Sequence, residues 1–216
     1  MTKICIFDLD GTLINTLANI GGNMNQALKD FGIEPFPLED YRYFVGNGSR
    51  NLTEKALTAR GRMTPEFFDE FYPHFFHIYE TYPDARVTVY DGIPELLAAL
   101  KARGIRVAVC TNKPNGAAQT SVAAFFSEGT FDEVLGAVDG RALKPAPDGV
   151  FSILEKYGIS PEEAAFIGDS DVDMLTAKAA GVRGFGALWG FRTAEELAAA
   201  GATALLSHPT ELLNKI

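Results

Sequence analysis

Short, almost wholly apolar segments alternate with helical segments along most of this chain, and this alternation limits the possible folds more than any other feature. The apolar segments lie at residues 105–110, 133–137 and 164–168, with weaker ones at 183–188 and 203–206. Between them lie stretches of about ten residues with the apolar spacing of a helix. Strands that are apolar on both faces are typical of a parallel sheet covered by helices on both sides. The sequence therefore predicts an α/β fold.

Residues 15–82 break this alternation, because they have the pattern of helices and contain no clear strand. Helices are predicted there near residues 16–31, 49–60 and 65–80. The last has Thr64 as a candidate N-cap and Pro65 at its first position, and its aromatic residues recur at the spacing expected for packing between helices. We expect a Rossmann-like core formed by residues 1–14 and 83–216, with an α-helical cap domain inserted at 15–82.

Composition and charge exclude several classes of function. The 216 residues carry a formal net charge of −9 and have a pI near 4.8, which disfavours nucleic acid or an anionic membrane as a partner. No apolar run approaches the ~20 residues needed to cross a bilayer, and Asp8 and Asp10 interrupt the N-terminal run too early for a signal peptide. Cys5 and Cys110 lie inside apolar runs, as buried reduced thiols do. A cytoplasmic monomer or homodimer is expected.

Polar side chains follow three of the apolar segments at the point where each ends. They are Asp8 and Asp10 after 4–7, Thr111, Asn112 and Lys113 after 105–110, and Asp169, Ser170, Asp171 and Asp173 after 164–168. Ligands of open parallel sheets bind at the carboxyl ends of strands. If these strands are neighbours, several carboxylates crowd one crevice and require a cation. A set of oxygen ligands without His or Cys favours Mg²⁺.

The remaining polar residues favour a phosphoryl group as the ligand of this crevice. Thr111 and Asn112 offer neutral donors, and Lys144 supplies a positive charge. Phosphoryl transfer requires this combination, because the transferring oxygens must be neutralised and oriented. Each feature alone has an ordinary explanation, since Asp171 could cap a helix and a lone lysine is usually solvated. Their joint occurrence in this order favours a site.

Four segments resemble the motifs of the haloacid dehalogenase-like hydrolases. They are DLDGTL at 8–13, CTN at 110–112, KPAP at 144–147 and GDSDVD at 168–173. The resemblance covers the whole chain and implies a helical cap after the first motif. TNKP at 111–114 and VGNGS at 45–49 are most similar to the phosphoglycolate-phosphatase branch of that family.

This resemblance assigns catalytic roles to two acids of the first motif. Asp8 is implied to be the nucleophile, forming an aspartyl-phosphate. Asp10 is implied to protonate the leaving alcohol and then to activate water, while its backbone carbonyl contacts the metal. Members of the family that displace halide lack an acid at the second position, so phosphoryl transfer is expected.

The same resemblance assigns the binding residues. The implied metal ligands are Asp8, Asp10, Asp169 and Asp173, the last directly or through water. The implied phosphate contacts are Gly11, Thr111, Asn112 and Lys144. Gly11 is expected to let the backbone approach the phosphate, which a Cβ would obstruct.

The cap is expected to select the substrate, a small phosphate ester, with 2-phosphoglycolate as the leading candidate. Arg50 could pair with a second anionic group of that substrate, or it could be solvated while Ser49 caps the helix, and the sequence leaves both open. A mutase is disfavoured because Ile20 stands where such relatives carry His. A phosphonate-cleaving enzyme is disfavoured because the first cap helix offers only Lys29.

Two further functions share these motifs or this chemistry. Phosphatases of nucleotides, sugar phosphates or pyrophosphate use the same motifs. A signalling receiver, which only stores phosphate on an aspartate, also combines acids, Mg²⁺, Thr and Lys at strand ends. A receiver carries its acceptor in the middle of its chain, whereas Asp8 lies on the first strand, so the enzyme is favoured.

Overall fold

A computed structural model describes residues 1–81 and 86–216, and its centre is a six-stranded parallel sheet. The strands, in spatial order, are β5 (Glu133–Ala137), β4 (Arg106–Pro114), β1 (Ile4–Phe7), β6 (Ala164–Gly168), β7 (Arg183–Ala187) and β8 (Ala204–Leu206). Each of these strands except β4 lies within two residues of the segment predicted from its apolar run. The α/β fold with a parallel sheet is confirmed.

The first strand lies between β4 and β6, and this position determines where a ligand can bind. Phe7 is in register with Val109 of β4 and with Ile167 of β6. The chain runs outward from β1 through β4 to β5, and then returns to begin the other half of the sheet at β6. The strand order reverses here, so the carboxyl ends of β4, β1 and β6 frame a crevice.

Helices cover both faces of the sheet because alternate residues of β1 point to opposite sides. Cys5 and Phe7 lie in a fully buried cluster with helices α5 (Ile93–Ala102) and α6 (Asn115–Phe125). Ile4 and Ile6 lie in a second buried cluster, on the face covered by the next two helices, α7 (Asp148–Tyr157) and α8 (Asp171–Ala180). A short helix, α9 (Ala194–Ala199), precedes β8.

A separate apolar cluster holds together the helical insert, which we define as residues 17–81. Its helices are α1 (Leu17–Asp30), α2 (Tyr41–Phe44), α3 (Gly48–Ala59) and α4 (Pro65–Thr81). Phe71 and Phe75 of α4 are fully buried in this cluster, which agrees with packing between helices. The backbone N–H of Phe67 donates to Thr64 Oγ1 at 3.2 Å, as an N-cap requires.

Two very short strands at the base of the helical insert were not predicted. β2 (Ile14–Asn15) pairs antiparallel with β3 (Thr88–Val89). Segments of two residues carry no periodicity, so their pairing comes from tertiary contact. The division into core and cap stays a prediction, and its boundary at 82/83 lies outside the described residues. No helix in the described part of the chain is long and apolar enough to cross a membrane.

Candidate active site

Asp8 stands one residue beyond β1, at the edge of the crevice. The backbone N–H of Asp8 donates to the carbonyl oxygen of Ile167 at 2.9 Å, so the sheet ladder fixes its position. Its Oδ1 accepts hydrogen bonds from the Leu9 N–H at 2.7 Å and from Lys144 Nζ at 2.9 Å. Burial raises the pKa of Asp8 to about 7, although Lys144 acts in the opposite direction. This carboxylate is therefore a rigidly held group whose charge needs a cation.

Lys144 bridges two acids that lie 165 residues apart in sequence, Asp8 and Asp173. Its Nζ lies 2.7 Å from Asp173 Oδ1, and the lysine side chain is 4% exposed. Burial alone would lower the pKa of Lys144, but the Asp173 and Asp8 carboxylates raise it above its ordinary value. Lys144 thus stays charged where a phosphoryl group would meet Asp8.

Asn112 positions Lys144 instead of pointing a free donor at the crevice. Its amide nitrogen donates to the carbonyl oxygens of Gly46 at 3.1 Å and Lys144 at 3.0 Å, and its Oδ1 accepts from the Lys144 N–H at 2.8 Å. Both amide hydrogens are therefore used within the protein. The side-chain amide of Asn112 thus positions Lys144, and the expected phosphate contact of Asn112 stays a prediction.

Asp169 is buried at the end of β6 and is oriented by two donors. Its Oδ1 accepts from Thr12 Oγ1 at 2.9 Å, and its Oδ2 accepts from the Phe191 N–H at 2.8 Å. Burial raises the pKa of Asp169 well above its ordinary value, and the neighbouring Asp173 and Asp8 carboxylates add to this effect. A cation placed beside it would remove the repulsion that destabilises its charged form.

Gly11 gives Asp169 the room that it occupies. A Cβ at Gly11 would lie 2.3 Å from Asp169 Oδ2, and the backbone there has a φ of +87°, a conformation that favours glycine. The close approach that Gly11 permits is therefore to the Asp169 carboxylate. The expected approach to phosphate stays a prediction.

Asp173 is completely buried in the first turn of α8, and both of its oxygens are engaged. Oδ1 accepts from Lys144, while Oδ2 accepts from the Ser170 hydroxyl at 2.6 Å and the Ser170 N–H at 3.0 Å. The pair of Ser170 and Asp173 forms a capping box that begins the helix. This arrangement supports an orienting role for Asp173, with metal contact through water.

The carboxylates of three acids could hold one metal ion. Single oxygens of Asp8, Asp169 and Asp173 all lie within 4.8 Å of one another. All are hard carboxylate donors, which suits Mg²⁺ better than a soft metal. Asp10 is not part of this cluster, and its predicted metal contact is through the backbone carbonyl. The residues present therefore fit the predicted Mg²⁺.

The sequence placed Lys113 at the end of a strand, but no role was predicted for it. Its Nζ lies 3.0 Å from Asp10 Oδ1 and 3.4 Å from Oδ2, and its side chain is 1% exposed. Burial alone would lower the pKa of Lys113, but the Asp10 carboxylate and Tyr79 raise it above its ordinary value. Extending the predicted strand beyond residue 110 would have identified Lys113, because β4 continues to Pro114 and buries this lysine beside Asp10.

The site opens into a cleft between the sheet and the helical insert. The sheet contributes Asp8, Asp10 and the buried Thr111, and the helical insert contributes apolar residues that include Ile20 and Leu52. Apolar walls around a few polar groups are typical of a small-molecule site.

Arg50 lies outside this cleft, and it is exposed. Its guanidinium stacks 4.7 Å from the ring centre of Phe68 and 4.9 Å from that of Tyr72, and it lines an adjacent groove. Ser49 does not cap α3, because its hydroxyl is hydrogen-bonded to the Tyr72 hydroxyl at 2.9 Å. The predicted cap by Ser49 is thus not formed, and the pairing of the exposed Arg50 with a substrate anion stays a prediction.

Two arginines that were not predicted tie the helical insert to the loop after β7. Arg192 donates to the carbonyl oxygens of Arg42 and of Val45, the latter at 3.1 Å, and Arg42 donates to the Gly190 carbonyl at 3.1 Å. The neighbouring Phe191 N–H binds Asp169. The position of the insert is thus linked to the orientation of a candidate metal ligand.

Comparisons with known proteins agree with this geometry. Residues 5–187 match the model of the family described as haloacid dehalogenase-like hydrolase. A phosphoglycolate phosphatase of Cereibacter sphaeroides is 37% identical over 82% of this chain and 81% of its own length, and one of Psychrobacter arcticus is 32% identical over 90% and 87%. The crystal structure of a predicted phosphoglycolate phosphatase from Haemophilus somnus has a TM-score of 0.92 and 29% identity, covering 99% of this chain and 97% of that one.

Proposed function

The chain belongs to the haloacid dehalogenase-like hydrolases, and we propose that it is a magnesium-dependent phosphomonoesterase that acts through an aspartyl-phosphate on Asp8. One observation carries this proposal. Lys144 bridges Asp8 and Asp173 inside a cluster whose third acid is Asp169. Such a cluster of buried acids around a lysine suits a phosphoryl group and a divalent ion together.

Asp8 attacks the phosphorus in the first half of the reaction. Lys144 and the Leu9 N–H both hold Oδ1, so we expect Oδ2 to be the attacking oxygen. The bond between Oδ2 and phosphorus forms as the bond to the ester oxygen breaks, and the leaving oxygen takes a proton from Asp10. Lys144 and Thr111 hold the phosphoryl oxygens during this transfer.

The second half returns the enzyme to its starting state. The Asp10 carboxylate takes a proton from water, whose oxygen attacks the phosphorus, and the bond from phosphorus to Asp8 Oδ2 breaks. Inorganic phosphate leaves, and Asp10 is protonated for the next cycle. The helical insert covers the cleft and limits the entry of bulk water to the intermediate.

Mg²⁺ would be held by Asp8, Asp169 and the backbone carbonyl of Asp10. Asp173 would orient this set through its contacts with Lys144 and Ser170. When bound, the ion supplies positive charge that reduces repulsion between the carboxylate of Asp8 and the phosphoryl group.

The substrate that we propose is 2-phosphoglycolate. This proposal is supported by the relatives from Cereibacter sphaeroides and Psychrobacter arcticus, which are named phosphoglycolate phosphatases and match more than four fifths of the chain. The cleft combines apolar side chains of the helical insert with polar groups such as Asp8, Asp10 and Thr111, which suits a small ester. Nucleotides, sugar phosphates and pyrophosphate are the alternative substrates.

A phosphatase assay over a panel of metabolites, with Mg²⁺ or with EDTA, tests the proposal. We expect steady release of phosphate over many turnovers, with 2-phosphoglycolate giving the highest kcat/KM, and no release in EDTA. A higher kcat/KM for a nucleotide or sugar phosphate would overturn the substrate. Labelling of the protein with one phosphate and no turnover would instead indicate a receiver.

Location and assembly are also proposals. The free, buried thiols of Cys5 and Cys110 support a reducing compartment such as the cytoplasm. A monomer or homodimer is expected, and light scattering would distinguish them.

A further inference from the structure

A second buried lysine, Lys113, lines the cleft. The Lys113 ammonium is shared between the two Asp10 oxygens and lies 5.1 Å from the centre of the Tyr79 ring on α4. Lys113 and Tyr79 both line the cleft that Asp8 enters. A buried ammonium needs anionic partners, and an anionic substrate group could share this one with Asp10 and Tyr79.

The position of Lys113 relative to Asp10 determines what it can touch. The acid that protonates the leaving oxygen must lie within hydrogen-bond reach of that oxygen. The Lys113 ammonium lies 3.0 Å from this acid and lines the same cleft, so it is near whatever the leaving oxygen carries. In a glycolate leaving group the carboxylate carbon is two bonds from that oxygen. A carboxylate there lies within reach of Lys113.

Like Lys113, the other cations around the cleft have partners, but those partners are not the acid that serves the leaving oxygen. Lys144 binds Asp8 and Asp173. Arg192 donates to backbone carbonyl oxygens of the helical insert, and Arg50 lines a different groove. Within the described part of the chain, Lys113 is thus the best placed cation for a second anionic group of the substrate.

We propose that Lys113 recognises a carboxylate on the leaving group and so selects phosphate esters of short 2-hydroxy acids. This inference rests on the proposed function. Burial between Asp10 and Tyr79 strengthens a charge-assisted hydrogen bond to the substrate, because little water competes. Lys113 also holds Asp10, so its loss lowers the turnover of every ester, while selectivity for the carboxylate is a separate quantity.

The test compares 2-phosphoglycolate with 2-hydroxyethyl phosphate, which has an alcohol in place of the carboxylate. For Lys113→Met we expect the ratio of the two kcat/KM values to fall about tenfold to a hundredfold, the range for a hydrogen bond between charged groups. Lys113→Arg keeps most of the ratio because it keeps the charge. Lys55→Met, a lysine that binds the Tyr43 carbonyl outside the cleft, leaves it unchanged.

A binding measurement keeps the test decisive if Lys113→Met abolishes turnover. Isothermal titration of both esters into Asp8→Asn, with and without Lys113→Met, reports the same selectivity without catalysis, and we expect the second change to remove it. Equal loss for both esters in either assay would show that Lys113 only positions Asp10. A ratio that falls in Arg50→Met and not in Lys113→Met would also overturn the proposal.

Failure of the inference is distinguishable from failure of the proposed function. A wild-type protein that hydrolyses both esters with equal kcat/KM overturns carboxylate recognition and leaves the phosphatase intact. A wild-type protein that hydrolyses neither ester, nor any ester of the panel, overturns the phosphatase itself.

Discussion

Replacing Asp8 with Asn should abolish turnover and also stabilise the metal-free protein at high pH. Burial raises the pKa of Asp8 from 3.8 to about 7, so folding forces the carboxylate to bind a proton across this window. The wild type therefore loses stability as the pH rises from about 4 to about 7, and the variant does not. At 1.36 kcal/mol per pKa unit, the stability advantage of Asp8→Asn should grow by about 3 kcal/mol between pH 5 and pH 8.

Urea unfolding in EDTA at several pH values measures this difference directly. Asp91→Asn, which changes an exposed acid in a turn, is the control and should show no such growth. Adding Mg²⁺ at pH 8 should stabilise the wild type, because the ion binds the folded state. An advantage of Asp8→Asn that stays constant from pH 5 to pH 8 would refute the reasoning, as would measurable turnover by this variant.

Three other substitutions test separate parts of the site. Lys144→Met leaves two buried carboxylates without their cation and should lower the unfolding free energy by about 3–5 kcal/mol at pH 8. The control Lys3→Met, which changes a surface lysine, should lower it by less than about 1 kcal/mol. Urea unfolding measures both. Asp10→Asn should release one equivalent of p-nitrophenol from p-nitrophenyl phosphate in a burst and then stop. The reason is that a good leaving group needs no acid in the first step, whereas the second step needs a base. Steady turnover at the wild-type rate would contradict this. Arg192→Gln should raise KM several-fold by loosening the helical insert, and an unchanged KM in steady-state assays would count against that role.

The parallel sheet could be predicted because its signals are local. The strand Ala164–Gly168 is an uninterrupted apolar run, and the following helix Asp171–Ala180 ends at Gly181, which adopts the left-handed conformation of a helix C-cap. Asp8, Thr111 and Asp169 meet because the carboxyl ends of neighbouring parallel strands meet. That inference needs only the order of elements and the residue after each strand.

The remaining contacts depend on how the helical insert packs on the sheet, which no local pattern encodes. Arg42 and Arg192 are far apart in sequence, and nothing around either indicates a partner carbonyl. Arg50 was considered as a partner for a second anionic group of the substrate, but stacking on Phe68 places it in the adjacent groove. The pairing of Lys113 with Asp10 was missed because the apolar segment ends at Cys110, whereas the strand continues to Pro114.

The most direct test of the account is a crystal structure of the protein grown with Mg²⁺ and beryllium fluoride, which mimics a phosphoryl group on a carboxylate. We expect beryllium to be bonded to Asp8 Oδ2, with Lys144 and Thr111 contacting its fluorine atoms and one Mg²⁺ held by Asp8 and Asp169. Beryllium fluoride on another residue, or Mg²⁺ bound away from Asp8 and Asp169, would contradict it.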